Sequence, residues 1–254
     1  RFIDSGAKVV IWDIDEGEAK KALEKVNSEN LTYQIVDVSN YEAINSKLSE
    51  VEKSHGKIDI FINNAGVALG KPVELLTRND LENLFSVNVI GHVEFTQLLL
   101  PLLRASSSPR IIFNGSAAGF FVRPLLGGYA ASKFALEAIV DALRMELYHE
   151  NIKVSLIEPG RIKTPIWSVP PKEEWEDSNR AKPYQNAIAI LKKEVQVNAT
   201  ESPSVDIVLR AFTHALQSRK PRHRYKVGFD ATLARILNWL PRGILDRLLL
   251  WLMW

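Results

Sequence analysis

The chain has 254 residues, enough for one large α/β domain with a sizeable core. Hydrophobic residues make up 46% and charged residues 24%, which excludes a disordered chain, a collagen-like repeat and a coiled coil. With 32 basic and 30 acidic side chains the net charge is only +2, so no global field draws the chain to nucleic acid, and the absence of cysteine excludes disulfide scaffolds, thiolate zinc sites and cysteine nucleophiles.

The opening Arg1-Phe2-Ile3-Asp4-Ser5-Gly6 has neither an initiator methionine nor the apolar stretch of a signal peptide, and the expectation is a fragment. No uninterrupted run of 18 apolar residues reads as a transmembrane helix. Short apolar runs then alternate with longer helical patterns. Ala7–Trp12 reads as a buried strand, Glu16–Ser28 as a polar helix, Leu31–Asp37 as a strand and Tyr41–His55 as a helix. Ile58–Ile62 is the next strand, closing at Asn63-Asn64-Ala65-Gly66. A long helix over Arg78–Arg104 follows, with Thr77 and Asp80 spaced as a capping box. Arg110–Phe113 is a strand, Gly128–Glu150 a helix, and Ile152–Ile157 a strand that stops at Pro159-Gly160. Strands separated by helical crossovers imply a parallel sheet covered on both faces, a doubly wound α/β fold. Residues 164–204, broken by Pro165, Pro170, Pro171 and Pro183 among aromatics, suit a substrate lid or a surface helical hairpin. A helix over Val205–Gln217 and a last strand at Arg224–Val227 complete one domain, and an apolar helical segment, 229–254, broken at Pro241, ends it.

Among six tyrosines only Tyr129 has a lysine four positions on, Lys133, which a helix places on the same face. Such a pair can move a proton. A tyrosine of pKa ~10 serving as a base near neutrality must shift by about three units, ~4 kcal/mol in favour of phenolate. Burial works against that shift, so a positive charge such as Lys133 has to overcome it. Ser116 lies just past the carboxyl end of a strand, the edge where open parallel sheets bind ligands. Its hydroxyl either shares a substrate oxygen with Tyr129 or bonds its own loop backbone. Asn88, in mid-helix, either holds a water or faces solvent. Asp13, after the first strand, either accepts bonds from a ribose 2′-hydroxyl or only starts the turn Asp13–Gly17.

Taken in order, Asn63-Asn64-Ala65-Gly66, Asn88, Ser116, Tyr129-x-x-x-Lys133 and Pro159-Gly160 resemble the short-chain dehydrogenase/reductase family as far as about Thr164. The resemblance implies a Rossmann-like fold and an alcohol dehydrogenase or carbonyl reductase. It implies Tyr129 as acid/base, Lys133 on the nicotinamide ribose, Ser116 on the substrate oxygen and Asn88 holding a water linked to Lys133. It also implies Asp37 and Val38 beside the adenine, Asn64, Ala65 and Gly66 on the adenine side, and Ile162 and Thr164, after Pro159 and Gly160, near the nicotinamide or the phosphates. Asp13 favours NAD over NADP, because a carboxylate repels a 2′-phosphate. The run Pro159–Trp167 looks like the steroid- and retinoid-oxidising branch, with a lipophilic alcohol or ketone as substrate. A homodimer or homotetramer is implied through the long helix and the helix carrying Tyr129.

One family feature is missing. No Thr-Gly-x-x-x-Gly-x-Gly turn precedes Asp13, and the expectation is an N-terminally truncated member lacking a first strand and roughly 25–35 residues, with the sheet opened beside Asp13 and Asn63. Such a chain either retains weak cofactor binding or serves as a non-catalytic scaffold or a membrane-surface protein. A serine hydrolase is excluded, because Asn114-Gly115-Ser116-Ala117-Ala118 is no nucleophile elbow. The five histidines show no metal-ligand spacing, so no metal is expected. The leucines and tryptophans of 231–254, interrupted by Arg235, Arg242 and Arg247, suit a membrane interface, a packed helix or a subunit contact. The basic cluster Arg219, Lys220, Arg222, Arg224 and Lys226 reads as a solvated loop before a strand. A cytoplasmic location and a peripheral membrane one both stay open.

Overall fold

Alternation of apolar side chains along the central strands decides how the layers form. In the computed structural model, which describes residues 2–164, 166 and 174–253, β4 (Arg110–Asn114) turns Ile111 and Phe113 to one face and Ile112 to the other. Its neighbour β5 (Lys153–Pro159) does the same with Val154 and Leu156 against Ile157. The first face receives α2 (Tyr41–His55), α4 (Gly91–Arg104) and α5 (Gly127–Glu146), which supply Ile44, Leu48, Phe95, Leu99, Leu103 and Leu136. The second face receives α7 (Asp206–Gln217) through Ala215 and Leu216. Helices on both faces of parallel strands make this a Rossmann-like doubly wound α/β fold.

The strands do not form one continuous sheet. β1 (Val9–Asp13) pairs in parallel with β2 (Leu31–Ile35), and β3 (Ile60–Asn63), β4, β5 and β6 (Arg224–Val227) pair in that order, also in parallel. No ladder joins β1 to β3 among the described residues, so the sheet is open beside Asp13 and Asn63, as the missing turn led us to expect. The slot changes burial on both banks. Val9–Trp12 are only half-buried, which corrects the expectation of a buried first strand, and Ile60 on β3 is exposed. Aromatic stacking spans the split instead: Phe95 of α4 lies 4.5 Å from Trp12 of β1 and 4.7 Å from Phe61 of β3, centroid to centroid.

Thr77 and Asp80 make the expected capping box at the start of α3 (Arg78–Phe85). The long helix is not uniform, however: a π-helical turn, Ser86–Ile90, separates α3 from α4. By length and hydropathy Arg78–Arg104 could cross a membrane, yet it is a core helix that buries Leu84, Phe95, Leu99, Leu102 and Leu103. α1 (Glu16–Val26) and α2 lie close to their expected limits, whereas α5 ends at Glu146 and is followed by a 3-10 turn, Tyr148–Glu150. β5 runs two residues further than expected, to Pro159. Of the lid, Pro165, Trp167, Pro170 and Pro171 lie outside the described residues, and α6 (Gln185–Glu201) packs Ala187 and Ile188 against Leu125. After β6 come α8 (Phe229–Leu237) and α9 (Arg242–Met253), divided at Pro241 as expected.

Because Phe95 is buried and holds both halves, Phe95→Ala should destabilise the chain by ~3–5 kcal/mol in a urea titration. Loss of less than ~1 kcal/mol would mean that the two sheets are joined by other contacts.

Candidate active site

The carboxyl ends of β1, β3, β4 and β5 face one cleft of about 1410 Å³. This exceeds the ~300–1,000 Å³ of an ordinary ligand pocket because it runs on into the slot between β1 and β3. Asp13, Asp37, Val38, Asn64, Ala65, Gly66, Ser116, Tyr129, Pro159, Gly160, Ile162 and Thr164 all line it. Twelve of the fourteen expected site residues therefore converge on one wall system, and Asn88 and Lys133 stand directly behind it. A Cβ added at Gly66 would lie 3.3 Å from Asn88 Oδ1, a tight contact, and 3.6 Å from Lys133 Nζ, an ordinary one, so the loop runs close to both.

α5 carries Tyr129, Ser132 and Lys133 inward, all buried. The Tyr129 phenol hydrogen-bonds Ser116, whose Oγ also accepts from Ala118 N at 3.1 Å. Of the two sequence readings of Ser116, the bond to its own loop backbone is present, and the same hydroxyl lies within reach of the Tyr129 phenol. Lys133 Nζ donates to the Asn114 carbonyl at 3.3 Å and lies 6.0 Å from the centre of the Tyr129 ring. Burial pushes the phenol above its ordinary value, and the bond with Ser116 draws it back only part of the way. Burial also pushes the Lys133 ammonium down, to about 8. In the chain by itself, desolvation thus outweighs the charge effect expected of Lys133.

Asn88 sits in the π-turn, a distortion common at functional sites, and is fully buried. Its Oδ1 accepts from Val67 N, while its Nδ2 donates to Val67 O and to Ser132 Oγ, each at 2.9 Å. It therefore ties the Asn63–Gly66 turn to α5, and the solvent-facing reading is excluded. Three residues escaped the sequence reading. His92 Nε2 bonds the Ala65 carbonyl at 2.8 Å, and its own carbonyl accepts from Asn63 Nδ2 and Thr96 Oγ1. Asn114 donates to Asn64 Oδ1 at 2.9 Å. Asp230, at the start of α8, accepts from Arg161 N beside Gly160. The only sequence signal for His92 was a polar residue four positions after Asn88 in an apolar helix.

Asp13 is exposed at the cleft edge, with Oδ1 accepting from Asp15 N at 3.0 Å. It starts the turn, and it also faces the cleft. Asp37 accepts from both the amide and the hydroxyl of Ser39. No group of histidines and carboxylates able to hold a metal occurs among the described residues.

A doubly wound sheet with such a cleft defines the nucleotide-binding α/β class. The sequence model described as short chain dehydrogenase matches residues 1–175. Human short-chain dehydrogenase/reductase family 9C member 7 is 33% identical over 98% of this chain and 83% of its own length. Human retinol dehydrogenase 5 is 33% identical over 91% of this chain and 76% of its own, and an NADPH-dependent 3-dehydrocapnine reductase of Ornithobacterium rhinotracheale is also 33% identical, over 98% and 89%. A Burkholderia phymatum short chain dehydrogenase/reductase, solved with NAD, superposes with a TM-score of 0.78 at 23% identity, over 92% of this chain and 86% of that one. The chain belongs to the short-chain dehydrogenase/reductase family of NAD(P)-dependent oxidoreductases, in its steroid- and retinol-dehydrogenase-like branch.

Burial and the Lys133 charge hold the His92 imidazole down, to about 4, against the opposing bond with Ala65. A neutral buried histidine contributes stability that is fully present above the unfolded pKa of ~6.5 and lost as pH falls through about 4. Urea titrations between these values should show the wild type losing up to ~3 kcal/mol that His92→Gln retains. Equal acid losses in the two proteins would show that His92 does not titrate in this window.

Proposed function

We propose that the protein is an NAD-dependent alcohol dehydrogenase or carbonyl reductase that interconverts a lipophilic secondary alcohol and its ketone. The observation that carries this reading is the Ser116–Tyr129 hydrogen bond at the cleft wall, with Lys133 buried behind it. A bound nicotinamide cofactor would supply the hydride chemistry. The residues for its two ends suit it: Gly66 permits close approach beside Lys133 and Asn88, and Asp13, Asp37 and Val38 border the opposite part of the cleft. Pro159, Gly160, Ile162 and Thr164 close the nicotinamide end, and the Asn64–Gly66 turn forms the floor.

Each residue then has a defined task. Ser116 and Tyr129 together hold the substrate oxygen. In reduction, Tyr129 Oη gives its proton to the ketone oxygen; in oxidation, the phenolate takes the alcohol proton. Lys133 would hold ribose hydroxyls of the cofactor and stabilise that phenolate, while Asn88 keeps the neighbouring turn in place, where a water could link to Lys133. Because burial keeps the phenol protonated at neutral pH, the proton-donating state is ready, whereas oxidation requires a higher pH. Ile162, Ile166, Val208, Leu209 and Phe212 give the cleft an apolar side suited to a lipophilic substrate. Asp13 supports NAD, although one relative is named for NADPH. Ile90 on the π-turn and Phe134 on α5 are exposed, which supports pairing of subunits through these helices.

Titration with NADH, followed by its fluorescence, tests the cofactor reading; no binding by a folded chain would favour a non-catalytic scaffold. Tyr129→Phe should bind NADH as the wild type does while turnover of a ketone falls by about 10³-fold or more. Turnover that survives the substitution would remove Tyr129 from the mechanism. The rate of alcohol oxidation should climb as pH rises from 7, and Lys133→Met should move that rise to higher pH. Asp13→Ser should lower the NADH-over-NADPH binding ratio about tenfold, and an unchanged ratio would leave Asp13 as a turn residue only.

A further inference from the structure

Of the basic cluster 219–226, which reads from the sequence as a solvated loop, Arg224 departs from that expectation. It stands half-buried on β6, and its guanidinium meets three carboxylates at once. Nη1 donates to Glu137 Oε2 and, at 2.8 Å, to Glu158 Oε1, while Nη2 donates to Asp141 Oδ2 at 2.7 Å. Glu137 and Glu158 are buried, and their other oxygens, Glu137 Oε1 and Glu158 Oε2, have no hydrogen-bond partner among the described residues. Two buried carboxylates on one nitrogen repel each other once that nitrogen is removed. Lys226, opposite Glu158 in the strand register, is exposed, so the compensation falls to Arg224.

Each contact leads to a part of the candidate site. On α5, Glu137 follows Lys133 by four residues and Tyr129 by eight, so the three share one helix face. The turn that Ser116 begins rests on the same carboxylate: a Cβ added at Gly119 would lie 2.8 Å from both Glu137 Cγ and Glu137 Oε1. Glu158 directly precedes Pro159 and Gly160, which line the cleft. The chain after Arg224 completes the hold on that strand end. Val227 O accepts from Gly160 N at 2.8 Å, and Asp230 accepts from Arg161 N. The Tyr129 helix, the Ser116 turn and the Pro159–Gly160 end are therefore all tied, through Glu137 and Glu158, to one guanidinium.

We infer that Arg224 is a positioning residue that fixes the separation between the Ser116–Tyr129 pair and the nicotinamide end of the cleft. This rests on the oxidoreductase reading proposed above. Arg224 does not line the cleft and acts through its carboxylates, and it lies outside residues 1–175, which match the family. Proton and hydride transfer to one substrate need both ends held in register, and a misplacement of ~1 Å costs about 10²-fold in rate. A lysine cannot replace the fork, because its single nitrogen would have to serve acids on two elements.

Arg224→Met and the milder Arg224→Lys, which keeps a buried cation and so protects folding, test the inference in two ways. Amide hydrogen exchange without cofactor should quicken by about tenfold in both residues 129–141 of α5 and residues 158–162 after β5, while residues 41–55 of α2 exchange as in the wild type. With NADH and either acetophenone or cyclohexanone as ketone probe, kcat should fall by about 10²-fold in Arg224→Met and about tenfold in Arg224→Lys, with the Kd for NADH within about threefold of the wild type. Exchange that quickens equally in α2 reports lost global stability alone and overturns the inference. So does a folded Arg224→Lys with wild-type exchange in both segments, or with wild-type kcat. A wild type that binds no NADH or reduces neither probe counts against the proposed function alone, because the exchange measurement needs no cofactor and still decides whether Arg224 couples the two segments.

Discussion

Phe95 is the contact on which the architecture turns. Two groups of parallel strands lie side by side with no hydrogen-bond ladder between them among the described residues, and this ring stacks on Trp12 from one and packs tilted against Phe61 from the other. A ladder would fix both spacing and register, whereas aromatic stacking fixes spacing alone. The slot that remains merges with the ligand cleft, which explains the volume of the cleft and the partial exposure of β1. Most of the buried apolar surface belongs to the four-stranded sheet and its helices, so that half supplies the rigid frame for the site.

Within that frame, the turn Asn63–Gly66 is over-determined. Asn88 grips Val67 at both its amide and its carbonyl, His92 holds Ala65, and Asn63 bonds back to the His92 carbonyl. These donors and acceptors are buried, where a missing partner is costly, so the turn has one arrangement. The π-turn makes this possible by widening the helix at Asn88. The Gly91 position, whose added Cβ would collide with the Val38 carbonyl, then lets α4 approach the strand side closely.

The electrostatics of the pocket follow from its dryness. Tyr129, Lys133 and His92 all shift toward their neutral forms because the helices exclude water from them. A site poised in this way responds strongly to any charge brought into it, since a low-dielectric pocket screens little.

The sequence by itself determined the parallel α/β class, the pairing of Tyr129 with Lys133, the strand-end positions of Ser116 and Asn63–Gly66, and the break at Pro241. These are properties of local period and spacing: the helical i, i+4 repeat, alternation in strands, and residues that stop them. Only the tertiary structure decided that Asn88 grips a loop 21 residues away, that His92 lies against Ala65, and that Asp230 reaches Arg161 across 69 residues. Such contacts depend on how helices pack on the sheet, which no local pattern encodes. Burial was decided there as well. Ala7–Trp12 reads as a core strand because its composition is apolar, but exposure depends on the neighbour, and beside an open slot the same residues are only half covered.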